Sequence, residues 1–292
     1  MLYGEGGSGK SYLALIMCLA ITFGITIAGL SPKKGRVMYL DYETSQGIIE
    51  GRLRKLARSL DLGLDDPMVL YYRGTQTMVR DAQSIKANIL NNHIDHLVID
   101  SASLAVGGKL EDTEAVGAFF AALRTIGISS TLITHVAKNT SRAGATPFGS
   151  TYWRNFTRSE WQVIGSQAEG SPQLSMLVKH TKVNDEARHN RLGFTFHFGD
   201  DTVRVTPSDP DTLPGLEKQA PLRKQIEDAI DALEGKATLK AISVHIGATG
   251  ATVETTIRRN PGTFMRVGVD GRAVLYGVKS VQYGDVRSNV RD

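Results

Sequence analysis

The chain has 292 residues, 41% of them hydrophobic and 22% charged, with a formal net charge of +4. That length holds one large α/β domain plus a small second one, and the composition is that of a soluble globular protein. The charge is too small to make nucleic-acid binding obligatory, and a single cysteine, Cys18, excludes an internal disulfide and fits a reducing cytoplasm.

The first motif lies at the amino terminus. Gly4-Glu5-Gly6-Gly7-Ser8-Gly9-Lys10-Ser11 fits GxxxxGK[ST] at every position. The glycines let backbone N–H groups turn inward around phosphates, and a following helix aims its positive end at the same anion. Lys10 supplies charge to the β- and γ-phosphates, and the Ser11 hydroxyl ligates Mg²⁺. ATP and Mg²⁺ are therefore the expected ligands, with Tyr12 as the next residue along the nucleotide. From Tyr12 to Leu30 there is no charge. Because this run starts on the phosphate loop and is broken by Thr22, Gly24, Thr26 and Gly29, it predicts a buried helix over about 11–22 and no membrane span.

Apolar runs then alternate with helical patterns, the α/β signature. Val37 to Leu40 predicts a buried strand ending on Asp41-Tyr42-Glu43. A helix follows over about 45–60, then a strand over 68–72 and a helix over 79–91. His96 to Asp100 predicts a strand whose terminal acid, Asp100, sits in the Mg²⁺ shell. A helix over 112–126 and a strand over 130–134 complete the parallel series. The attacking water needs an orienting acid. Ser101 follows Asp100, so Glu43 is the candidate and Asp41 its competitor. Further strands near 160–164, 174–180 and 193–198 read as antiparallel.

The stretches GEGGSGKS, GRVMYLDYE (35–43), HLVIDS (96–101), LITHVAK (132–138) and LVKHTKVN (177–184) resemble the RecA-like ATPases, above all the hexameric plasmid helicase RepA and its phage and bacterial relatives. The resemblance covers roughly residues 1–200. It implies a RecA-like P-loop core with a mainly parallel sheet, a homo-oligomer of hexameric type, and single-stranded DNA as partner. It places the catalytic glutamate at Glu43 and a γ-phosphate sensor at His135. It makes 138–150, with Lys138 and Arg142, the DNA-facing loop. A basic finger from the neighbouring subunit is also implied. Phe148 stands where relatives carry arginine, so the candidates are Arg142, Arg154, Lys179 and Lys182, with Lys182 the best match to the basic strand pair. Only Met1 to Tyr3 precede the loop, where the fold normally has a full strand.

The expected organisation is an ATPase domain over 1–207, a linker over 208–220, a module over 221–278 and a disordered tail over 279–292. Three helices and a hairpin in the module resemble a winged helix-turn-helix, offering Arg258 and Arg259 to DNA. The function expected is an ATP-hydrolysing DNA motor of replicative-helicase type. A repair or recombination ATPase without unwinding and a nucleotide-switched DNA-binding regulator are the alternatives.

Overall fold

The computed structural model describes residues 1–63, 69–136 and 152–279. The chain divides into two compact units, Met1–Leu216 and a second that begins at Glu217.

The first unit alternates strands and helices. In order these are β1 (Leu2–Gly4), α1 (Lys10–Phe23), β2 (Val37–Asp41), α2 (Gln46–Arg58), β3 (Leu70–Arg73), α3 (Met78–Asn91), β4 (His96–Asp100), α4 (Ala102–Ala105), α5 (Thr113–Ile126) and β5 (Ser129–His135). Then come α6 (Tyr152–Phe156), β6 (Ser159–Ser166), β7 (Gln173–Val183), β8 (Leu192–Phe198) and β9 (Val203–Ser208). They build one sheet in the order β3-β2-β4-β5-β1-β6-β7-β8-β9. Pairing is parallel from β3 through β6 and antiparallel from β6 through β9. The sequence placed β6 among antiparallel strands; its edge toward β1 is parallel, so it is the seam between the two halves.

The apolar runs explain the layers. Side chains alternate across a strand. Val37 and Tyr39 of β2 therefore join α1 and α2 in one core, while Met38 and Leu40 join α3 and α5 in the other. Strands buried on both faces need no polar residue until they end. The charge-free run is accounted for by α1, which buries Leu13 to Ile16 and Cys18 to Ala20 and stops at Gly24 in the left-handed region. Asp112 caps α5 by accepting from the Glu114 N–H at 2.9 Å. Among the described residues, no helix is long and apolar enough to cross a membrane.

Where the sequence suggested a linker, β9 continues to Ser208, and Leu213 and Leu216 are buried against Ile164 and Leu177. The second unit holds α7 (Leu222–Ala232), β10 (Ala237–Thr238), α8 (Leu239–Ile246), α9 (Gly250–Arg259), β11 (Phe264–Asp270) and β12 (Ala273–Val278). Its strands pair antiparallel in the order β10-β12-β11, over a core of Ile226, Ile230, Ile242, Val253, Phe264 and Tyr276. Thr238 and Thr249 cap α8 and α9 through their hydroxyls.

Candidate nucleotide site

The loop from Gly4 to Gly9 joins β1 to α1 at the carboxyl end of the sheet. Gly9 caps α1 with φ 87°, a conformation that side chains rarely adopt, and a Cβ there would run into Met176 and Leu174. Lys10 is buried, and its ammonium donates to the Gly4 carbonyl at 3.0 Å and the Glu5 carbonyl at 2.7 Å. Burial lowers its pKa to about 8, against the opposing pull of Asp100, Glu43 and Glu5. The ammonium thus rests on carbonyls of the loop itself.

Parallel pairing sets Asp41 of β2 beside Asp100 of β4. The two acids are used differently. Asp41 is fully buried and consumed by the chain. Its Oδ1 accepts from the Glu43 and Thr44 N–H groups, both at 2.9 Å. Its Oδ2 accepts from Tyr71 at 2.9 Å, Thr44 Oγ1 at 3.1 Å and Arg73 at 3.2 Å. Burial alone raises its pKa, but the donors, led by the Thr44 and Glu43 amides, overcome it and hold the carboxyl below the usual range. Asp41 therefore shapes the turn after β2, which leaves Glu43 with a half-exposed side chain.

Asp100 is also buried, and its Oδ2 accepts from Ser11 Oγ at 2.7 Å and from the Tyr39 hydroxyl at 2.5 Å. The other oxygen, Oδ1, is buried with no hydrogen-bond partner, as is Ser8 Oγ in the loop. An orphaned carboxylate oxygen costs about 1–3 kcal/mol or more unless something meets it. A hydroxyl and a carboxylate facing a phosphate loop suit Mg²⁺, which takes few protein ligands and completes its shell with phosphate oxygens and water. Among the described residues, no group of three or more His, Cys, Asp or Glu side chains could hold a metal ion.

One cleft of about 330 Å³ gathers Gly6, Lys10, Ser11, Glu43, Asp100 and His135. His135 ends β5, with its Nε2 at 3.9 Å from a Glu43 oxygen. On the far wall Tyr12 meets Phe198 edge to face at 5.2 Å, and the Arg52 guanidinium covers the Tyr12 ring at 5.2 Å. Arg52, Phe198 and Tyr39 escaped the sequence reading. Phe198 lies on the antiparallel side of the sheet, and no motif connects it with the loop at Gly4. Tyr39 reads as one more apolar strand residue.

The remaining candidates lie elsewhere. Lys138 and Arg142 fall outside the described residues. Lys182 is held within the chain, its ammonium donating to the Arg154 and Thr157 carbonyls at the end of α6. Arg154 is half-exposed, 4.0 Å from the buried Glu160. Arg258 and Arg259 are exposed in the last turn of α9, in the second unit.

Parts of the chain are similar to known proteins. A family model described as an AAA domain matches residues 1–141. The core is a RecA-like P-loop NTPase fold. Among curated proteins, the DNA repair protein RAD51 homolog 2 of Arabidopsis thaliana is 32% identical over 117 residues, covering 37% of this chain. The chain spans only 31% of that protein's length. A solved KaiC-like protein from the archaeon Pyrococcus horikoshii superposes with TM-score 0.48 and 17% identity, over 70% of this chain and 88% of its own. The domain match and the site together support a RecA-like ATPase.

Proposed function

We propose that the chain binds and hydrolyses Mg-ATP and couples hydrolysis to movement on single-stranded DNA, as an oligomer of the RepA-like helicase type. The observation that carries the reading is the convergence of Lys10, Ser11, Asp100, Glu43 and His135 on one cleft, with Asp100 Oδ1 unpartnered. In this reading the loop amides and Lys10 bind the β- and γ-phosphates. When an anion enters, Lys10 exchanges its carbonyl partners for phosphate oxygens. Ser11 and Asp100 would hold Mg²⁺, which neutralises charge developing on the phosphates. Glu43 accepts a proton from the attacking water and orients it. His135, next to Glu43, reports whether the γ-phosphate is present to the segment after β5. A basic residue from a neighbouring subunit completes the site. Arg258 and Arg259, on a winged-helix-like module, add phosphate contacts to DNA.

The match to a protein named for DNA repair favours a second reading equally, a recombination ATPase that does not unwind. Hydrolysis measured with single-stranded DNA, beside strand separation on a forked duplex, separates the two. Stimulated turnover with unwinding supports the helicase. Stimulated turnover without unwinding supports the recombination ATPase, and unstimulated turnover contradicts both.

A further inference from the structure

Tyr39 sits in the middle of β2, wholly buried among apolar side chains of α1, α2 and the sheet. Such a core position is ordinarily filled by an aliphatic residue or phenylalanine, because a buried hydroxyl needs a partner. Its partner here is the acid of the neighbouring strand: the hydroxyl donates to Asp100 Oδ2 at 2.5 Å. A phenol has an ordinary pKa of about 10 and keeps its proton at neutral pH, so the hydroxyl is the donor in this bond. Ser11 donates to the same oxygen. Two donors fall on Oδ2 and none on Oδ1, although both oxygens belong to one buried carboxylate. Carboxylate torsions are broad and nearly two-fold, so without these donors neither oxygen would have a fixed place.

We propose that Tyr39 is a positioning residue for the metal site, locking Asp100 through Oδ2 so that Oδ1 is presented to the Mg²⁺ that accompanies ATP. The inference rests on the Mg-ATP reading of the cleft. Ser11 is expected to turn toward the metal on binding, and Tyr39 then becomes the anchor that stays behind. Partners of this kind, which touch a ligand and not the metal, typically change metal affinity by about 10–100-fold.

The test uses the full chain and a fluorescent, non-hydrolysable ATP analogue, titrated with Mg²⁺ and separately bound in EDTA. Tyr39→Phe keeps the ring and removes the hydroxyl. The expected result is a Mg²⁺ midpoint raised about tenfold or more, with metal-free analogue affinity and the apo melting temperature little changed. An unchanged midpoint overturns the inference, because a tyrosine that serves packing alone leaves it in place. In an Asp100→Asn background, adding Tyr39→Phe is expected to move the midpoint no further, since the route through the carboxylate is already cut. A further tenfold shift there overturns the inference. Both comparisons need Tyr39→Phe to fold; where it does not, Asp100→Asn alone carries the test, and an unchanged Mg²⁺ midpoint there overturns the inference. A wild type that ignores the analogue at every Mg²⁺ concentration contradicts the Mg-ATP reading itself, a result distinct from either of these.

Discussion

The two halves of the large sheet treat their polar residues differently. In the parallel half, β2, β4 and β5 are buried along most of their length and end on Asp41, Asp100 and His135. In the antiparallel half, polar groups occur along the strands and neighbours answer them. His180 shares a hydrogen with Ser159 Oγ at 2.9 Å, Thr195 pairs with Ser208 at 2.8 Å, and Lys182 holds the end of α6. Neighbours answer the acids at the ends of the parallel strands unequally: both Asp41 oxygens take donors, which ties that side chain to the turn after β2, whereas Asp100 takes its donors on Oδ2 and has none on Oδ1.

The largest expected effect lies in the parallel half. Lys10→Ala should weaken ATP binding by about 2–5 kcal/mol, roughly thirtyfold or more, because it removes the buried charge that the proposed function assigns to the phosphates. The wild-type pH dependence sharpens this. Free Lys10 has its pKa lowered to about 8, and a bound phosphate restores the charged form. Binding above about pH 8 should therefore take up close to one proton, and affinity should fall as pH rises through that range. Calorimetry in buffers of differing ionisation enthalpy reads the uptake; none at about pH 9 would remove Lys10 from the phosphate contact.

Asp41→Ala should act on the fold, with a loss of about 2–3 kcal/mol in urea titration, since it strands donors from Tyr71, Arg73 and two amides. The depressed pKa gives the sign. Asp41 stabilises fully above the unfolded value near 4, and that contribution is lost as pH falls through its lower folded value. The variant should accordingly lose less stability on acidification than wild type does.

Lys182→Met has the smallest expected effect and is the sharpest way to break the contrast. The contacts to α6 predict a loss of about 1 kcal/mol, with turnover unchanged. A fall in turnover on the order of 10³-fold at unchanged stability would instead make it the finger acting on a neighbour's nucleotide.

These contrasts also show what the sequence could reveal. The phosphate loop and the strands ending on Asp41, Asp100 and His135 were legible because local spacing and buried runs encode them. Glu43 was legible only as one of two acids. The donors that commit Asp41 to the turn come in part from Tyr71 and Arg73, thirty residues on, and no periodicity marks them. Tyr39 was hidden for a related reason: its hydrogen bond depends on strand register, while its own sequence context is apolar. The parallel edge of β6 was missed because alternation reports burial, not the direction of the neighbouring strand.

The central claim is that the parallel half ends in an ATP-hydrolysing centre built on Glu43. Turnover and nucleotide binding measured together on wild type and Glu43→Gln test it most directly. The account predicts turnover lower by roughly 10²–10⁴-fold, with binding of the ATP analogue retained. A variant that hydrolyses ATP at the wild-type rate would contradict it.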